Sequence, residues 1–350
     1  MKQSFLKPLI AATLLTTGIA TAYAGNISNI SNIPPTASGF GISLTGLYLQ
    51  PNASNLEYAV YTSPLPGPAP TWKTINLDPS YQPGFDIGLQ YTFSTRADQI
   101  KLDWLHLYTS DTDSASASGH TSIAPSYYFG PFAQALFNSN AKNKTKFYVD
   151  NANFVYDHLF NLNRYVQLEP FAGIGSAYLK QDLTTTFRGQ NATGDAYEHI
   201  VENTSKYLGI GPRIGLTTSV FVARHFGIFA ELAAAALVGS MQSKTDFTSQ
   251  GRDNPTAVST TMADQRVNRV VPEFDSKLGL SYTFMFNSGS SFVIQAGYMF
   301  TTFINGINQV VPTALVPDTF DNGVIAIETS DEKQSNLDLN GPFIKLAWRF

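Results

Sequence analysis

Ten stretches of this chain alternate apolar and polar residues with a period of two, and the connections between them alternate long and short from end to end. Period-two alternation is strand geometry, because successive side chains point to opposite faces. The stretches are Phe40–Gln50, Gly84–Phe93, Gln99–Tyr108, Lys146–His158, Tyr165–Leu179, Lys206–Ser219, Gly227–Gly239, Val271–Phe286, Ser291–Phe303 and Leu339–Phe350. Regular alternation of connection length predicts an all-β fold, an antiparallel transmembrane β-barrel with short periplasmic turns and long extracellular loops. A soluble β-sandwich has no reason to alternate its loops this way. A further hairpin, Leu56–Thr62 with Trp72–Leu77, would raise the count from ten to twelve.

The faces carry the same message. In Gly84–Phe93, residues Phe85, Ile87, Leu89, Tyr91 and Phe93 oppose Gly84, Asp86, Gly88, Gln90 and Thr92. A charge and two glycines make a poor soluble core, but they suit a crowded, wet lumen behind a lipid-facing surface. The same phasing turns Lys101, Asp103, Glu169, Arg213, Glu231, Glu273, Asp275, Lys277, Lys345 and Arg349 inward. Lys146–His158 has no clear phase, since Asp150 shares a face with Tyr148, Phe154 and Tyr156. Glu231 lies in an alanine-rich run that reads as a helix on hydrophobicity alone; its place between strands and its terminal glycine favour a strand.

These inward charges either neutralise one another in a narrow lumen or line and filter an aqueous path. Ten strands lie nearer the size whose interior side chains fill than the 16–18 strands of open porins. A slight excess of acids would favour cations.

The last stretch places Ile344, Leu346, Trp348 and Phe350 on one face, a pattern expected of a closing strand that carries the signal for barrel assembly. At the other end, Lys2 and Lys7 precede the apolar run Leu9–Ala20 and the small-residue site Ala22-Tyr23-Ala24. This is the layout of a cleaved export signal over residues 1–24, with cleavage after Ala24. Residues 25–39 then form a periplasmic leader, or a plug peptide in the barrel mouth, and residues 40–350 form the barrel.

Charged residues make up only 14% of the chain, against about 25% in ordinary soluble proteins. The net charge of −4 leaves no nucleic-acid footprint. With no cysteine, stability rests on pairing and packing rather than on disulfides. No His pair stands at metal-ligand spacing, and no cofactor motif is present. His120 and His199 fall in long connections, His106 has only Asp103 within reach, and Asp157-His158 sits at the periplasmic end. An outer-membrane hydrolase needs acid–His pairing at the outer rim, so catalysis is not expected.

Leu208-Gly-Ile-Gly-Pro-Arg-Ile-Gly215, the strand ending Ala236-Leu-Val-Gly239, the run Val270–Thr283 and the run Ala296–Gly306 resemble the Legionella-type major outer membrane protein family. The resemblance implies a porin-like barrel in the cell outer membrane, exposed at the surface. The family's disulfide cross-linked assembly does not carry over to a chain without cysteine. The expected partners are outer-membrane lipid and lipopolysaccharide, the barrel-assembly machinery, and host or environmental surface ligands met by the loops. A surface adhesion or binding protein on a plugged barrel is the alternative.

Overall fold

The computed structural model describes residues 32–34, 38–63, 71–93, 98–127, 129, 135–251, 258–264, 266–287, 289–315 and 325–350. The export signal, its cleavage residues Ala22 and Ala24, and most of the leader lie outside the described residues. The strands are β1 (Gly39–Ala53), β2 (Glu57–Ser63), β3 (Thr71–Asn76), β4 (Gln82–Thr92), β5 (Asp98–Pro125), β6 (Leu136–His158) and β7 (Phe160–Asn161). They continue as β8 (Val166–Gln190), β9 (Ala196–Ala223), β10 (Phe226–Gly251), β11 (Val258–Ala263), β12 (Val267–Met285), β13 (Ser291–Leu315) and β14 (Ile327–Arg349).

Ten of these close a ring in the order β1-β4-β5-β6-β8-β9-β10-β12-β13-β14, each pair antiparallel and β14 returning to β1. The ring contains all ten stretches expected from the alternation, including the alanine-rich one. The hairpin that would have made twelve does form, as β2 and β3, but it stands outside the ring: β2 pairs with the far end of β5, Ala59 opposite Pro125.

The polar connections are the main correction. Crossing a membrane takes about 9–11 strand residues, yet β5 has 28 and β9 has 28. Segments expected as loops continue the ladders instead: β5 and β6 stay paired to Ala117 and Ser139, and β8 and β9 to Gln190 and Ala196. Serine, threonine and asparagine on both faces hide the alternation outside the lipid, while the backbone ladder runs on regardless.

Outward residues form the apolar belt: Ile42, Leu44, Leu89, Leu102, Ile174, Leu208, Ile210, Ile214, Leu278 and Leu346 are all exposed. The belt would be intolerable in water and is the surface a bilayer covers. Aromatic rings border it, with Tyr108 against Tyr148 (4.7 Å) and Tyr48 stacked on Tyr81 (5.5 Å) at one margin. Trp348 against Phe286 (5.9 Å) and Phe40 against Tyr91 (4.9 Å) stand at the other. The undecided strand β6 turns Phe154 and Tyr156 outward with Asp150, and Asp150 Oδ1 takes hydrogen bonds from Trp104 Nε1 (3.2 Å) and pairs with His106 Nδ1 (2.7 Å). His106 therefore faces Asp150 on the outer wall, not Asp103 in the lumen.

At the seam, β1 and β14 pair from Gly41↔Arg349 to Ala53↔Leu337, and the Phe350 N–H donates to the Phe40 carbonyl at 2.9 Å. Gly39 has φ +128°, and a Cβ there would lie 2.3 Å from the Phe350 carbonyl oxygen, so the seam needs glycine at this position. Ile344, Leu346, Trp348 and Phe350 are all exposed on the belt. From the leader, the Asn32 N–H donates to the Arg164 carbonyl in the short turn after β7 (3.0 Å).

Candidate functional site

The alternation that turns leucines to the lipid turns acids and bases into the lumen, and ten strands hold them a few ångströms apart. They surround a chamber of about 110 Å³. Of the eleven charges expected inside, nine line it: Asp86, Lys101, Asp103, Glu169, Arg213, Glu231, Asp275, Lys277 and Lys345. Glu273 is fully buried on the inward face beside Arg213, off the chamber lining. Arg349, opposite Gly41 near the short-turn end, also lies off the chamber.

Four groupings organise the charge. Arg213 reaches Glu273 Oε1 (3.1 Å) and Asp275 Oδ2 (2.5 Å), and all three side chains are buried. Asn151 Nδ2 donates to Glu273 (2.5 Å) and Thr301 Oγ1 to Asp275 (2.6 Å), so the neighbours hold the pair of acids in place. Lys101 pairs with Glu169 and with Asp157 (3.2 Å). Lys277 pairs with Glu231 across β10 and β12 (3.1 Å). Thr45 stands between Asp86 on β4 and Lys345 on β14, and its hydroxyl donates to Asp86 (3.2 Å). Mutual pairing is what such burial demands, since a lone buried charge is costly.

The phasing missed Asp157, which lines the chamber and is buried. With it, six acids (Asp86, Asp103, Asp157, Glu169, Glu231, Asp275) face four bases (Lys101, Arg213, Lys277, Lys345). Assigning the outer face to Phe154 and Tyr156 would have put Asp157 inside, two residues on from Val155.

Above the chamber the lumen is filled. Leu47, Leu105, Val149, Phe303, Leu339 and Phe343 form part of its wall. Over them packs an apolar core that includes Leu49, Leu107, Phe147, Leu179, Tyr207 and Leu237. Three segments fold inward to complete it. The turn after β1 sends Asn55 across the barrel to Gln181 on β8, and the two amides exchange hydrogen bonds of 2.6 and 3.0 Å while buried. A bulge in β13 between Phe303 and Ile307 dips inward, with Asn305 at φ 56°. It buries Ile307 and lets the Asn308 N–H reach Ser205 Oγ on β9 (3.0 Å). The segment after β5 inserts Phe129, which stacks on Phe247 of β10.

The histidines are scattered. His199 lies inside the barrel on β9, buried and bonded to Ser249 Oγ (2.9 Å), rather than in an open loop. His158 pairs with Asp98 at the short-turn end. The His120 side chain lies outside the described residues. Among the described residues no group of His, Asp and Glu is placed to hold a metal ion.

A closed ten-strand ring, an outward apolar belt with aromatic margins and an inward polar lumen define an outer-membrane β-barrel protein. The family profile described as Legionella pneumophila major outer membrane protein precursor matches residues 32–350. The chain belongs to that family. No curated protein matches it. Among solved structures it is similar to the outer membrane protease OmpT from Escherichia coli, at 10% identity over 89% of this chain and 96% of that one, with a TM-score of 0.43. It is also similar to the toluene transporter TodX of P. putida, at 6% identity over 94% and 95% of the two chains, with a TM-score of 0.27. These likenesses are too distant to bear on activity.

Proposed function

We propose that this protein is a porin-like channel of narrow bore, in which a charged chamber passes small ions when the inward-folded segments above it move aside. The observation that carries the reading is the chamber itself, where ten inward charges meet beneath a ceiling of inward-folded segments rather than a continuous wall. A filler needed only for stability would be served as well by apolar packing, since buried ion pairs contribute little net stability over hydrophobic replacements. The ceiling is built from the turn after β1, the β13 bulge and the segment carrying Phe129, and it acts as a hydrophobic gate of the kind that closes by excluding water. Six acids against four bases give the path a cation preference.

Liposomes containing the refolded barrel and loaded with a potassium-sensitive dye test this directly. Slow, voltage-dependent potassium entry supports the channel, and impermeability at every voltage rejects it. Among the described residues the histidines do not favour a catalytic role: His199 is buried inside, His106 faces outward, His158 lies at the short-turn end and His225 bonds the Thr283 carbonyl. A surface-binding role has its own supporting observation: the paired ladders of β5, β6, β8 and β9 continue well past the belt and would present an extended surface outside the membrane.

A further inference from the structure

Just beyond the upper margin of the apolar belt, the outer wall of the barrel changes character on one side only. On the outward face of β6 stand Lys142, Lys144 and Lys146, successive outward positions about 7 Å apart. The neighbouring strands add Lys180 on β8, Lys206 on β9 and Lys244 on β10. The register brings them together: Tyr148, Lys180, Lys206 and Gln242 form one row across the four strands, and Lys146, Asp182, Thr204 and Lys244 form the next.

The outward acids in this patch are Asp182, Glu202 and Asp246, half the number of lysines; a fourth, Asp150, lies just below it in the row of Tyr178 and Leu208 and is held by Trp104 and His106. Asp182 pairs with Lys180 and Asp246 with Lys244 (2.7 Å). Among the described residues, Lys142, Lys144, Lys146 and Lys206 form no ion pair. On the opposite side, the corresponding outward positions of β13, β14 and β1 are Thr302, Asp338, Asn340, Gln50 and Asn52, with no cation among them. The asymmetry is therefore a feature of one wall and not of the whole rim.

The patch is continuous with the belt below it. Two residues down the same face from Lys206 comes Leu208, then Ile210, with Val238, Phe154 and Ile174 beside them, all more than half exposed. A ligand that fits this wall has negative charge at one end and hydrocarbon at the other, held at the depth where a membrane's headgroups lie. A free anion would use the lysines and leave the apolar surface unused.

We propose that the β6–β8–β9–β10 wall is a binding site for a phosphate-bearing lipid of the outer leaflet, with phosphates on Lys144, Lys146 and Lys206 and acyl chains against Leu208, Ile210 and Phe154. Lysine serves as a point charge for phosphate, and Tyr148, under the Lys180 ammonium at 5.0 Å, marks the headgroup level.

Native mass spectrometry of the refolded barrel in non-ionic detergent, titrated with bisphosphorylated lipid A, tests the site. The expected result is retained lipid on the wild type, with affinity falling on the order of a hundredfold in Lys144→Gln/Lys146→Gln/Lys206→Gln, from the attraction each basic residue contributes near a charged lipid surface. These side chains point outward, so folding is expected to survive, and the Lys→Arg triple variant should restore binding. Lys73→Gln, on the outlying β3, should bind as the wild type does. Equal retention of dephosphorylated lipid A, an unchanged affinity in the Gln variant, or full displacement by inorganic pyrophosphate would each overturn the proposal.

Discussion

Asn55 and Gln181 exchange two amide hydrogen bonds across the interior of the barrel, one from the turn after β1 and the other from β8. They tie one inward-folded segment to the far wall, and both are buried. Replacing either one alone with alanine strands the other amide, at a cost of about 1–3 kcal/mol. Replacing both with leucine should recover most of that loss. Urea unfolding of the four proteins checks it, and additive losses in the double variant would show that the amides act independently.

Arg213 holds two buried acids at once. Arg213→Met leaves Glu273 and Asp275 without their cation and should destabilise the barrel by about 3–5 kcal/mol. Adding Glu273→Gln and Asp275→Asn to that variant removes the stranded charge and should restore a barrel near wild-type stability. Failure of the triple variant to recover in thermal unfolding would place the loss in packing instead of charge.

The seam depends on Gly39 and Phe350. Gly39→Val forces a side chain into the Phe350 carbonyl, and deleting Phe350 removes the hydrogen bond to Phe40 and one belt aromatic. Both variants should lower the fraction of heat-modifiable barrel recovered in the outer membrane. Wild-type recovery after the deletion would contradict the role given to the closing strand.

At the tip between β8 and β9, Thr193 Oγ1 (2.6 Å) and Asn191 Nδ2 (3.1 Å) donate to Asp195 and hold its carboxyl below the ordinary aspartate range. A carboxyl depressed in the folded state stabilises above its unfolded value, about 3.9, and that contribution fades as pH falls through the lower folded value. Amide-exchange protection over residues 191–195 should therefore be steady from about pH 7 to pH 5 and fall below about pH 4. Asp195→Asn should flatten the profile.

The membrane-crossing part of this fold was legible because lipid on one side and charge on the other sharpen the alternation. Gly84–Phe93 and Val271–Phe286 were readable for that reason, and even the alanine-rich strand was placed by its neighbours. Outside the lipid, both faces of Ser110–Ser116 and Thr184–Thr186 are polar, so ladders there looked like loops. The charged chamber was legible by phase except at Asp157, where outward Asp150 masked the strand's direction. The ceiling was not legible, since Asn55, Ile307 and Phe129 reach it by folding across the barrel from distant segments. Asn305-Gly306, interrupting an otherwise regular strand, was the one local sign of the bulge.

Single-channel recording in planar bilayers tests the gated chamber most directly. The wild-type barrel should give brief, small, cation-preferring openings. Phe129→Ala with Phe247→Ala, which takes apart a stack of centroid distance 4.4 Å, should lengthen the openings. Asp86→Asn with Glu231→Gln should weaken the cation preference. Silence from the wild type and the Phe129/Phe247 variant alike, in bilayers shown to hold folded barrel, would contradict the account.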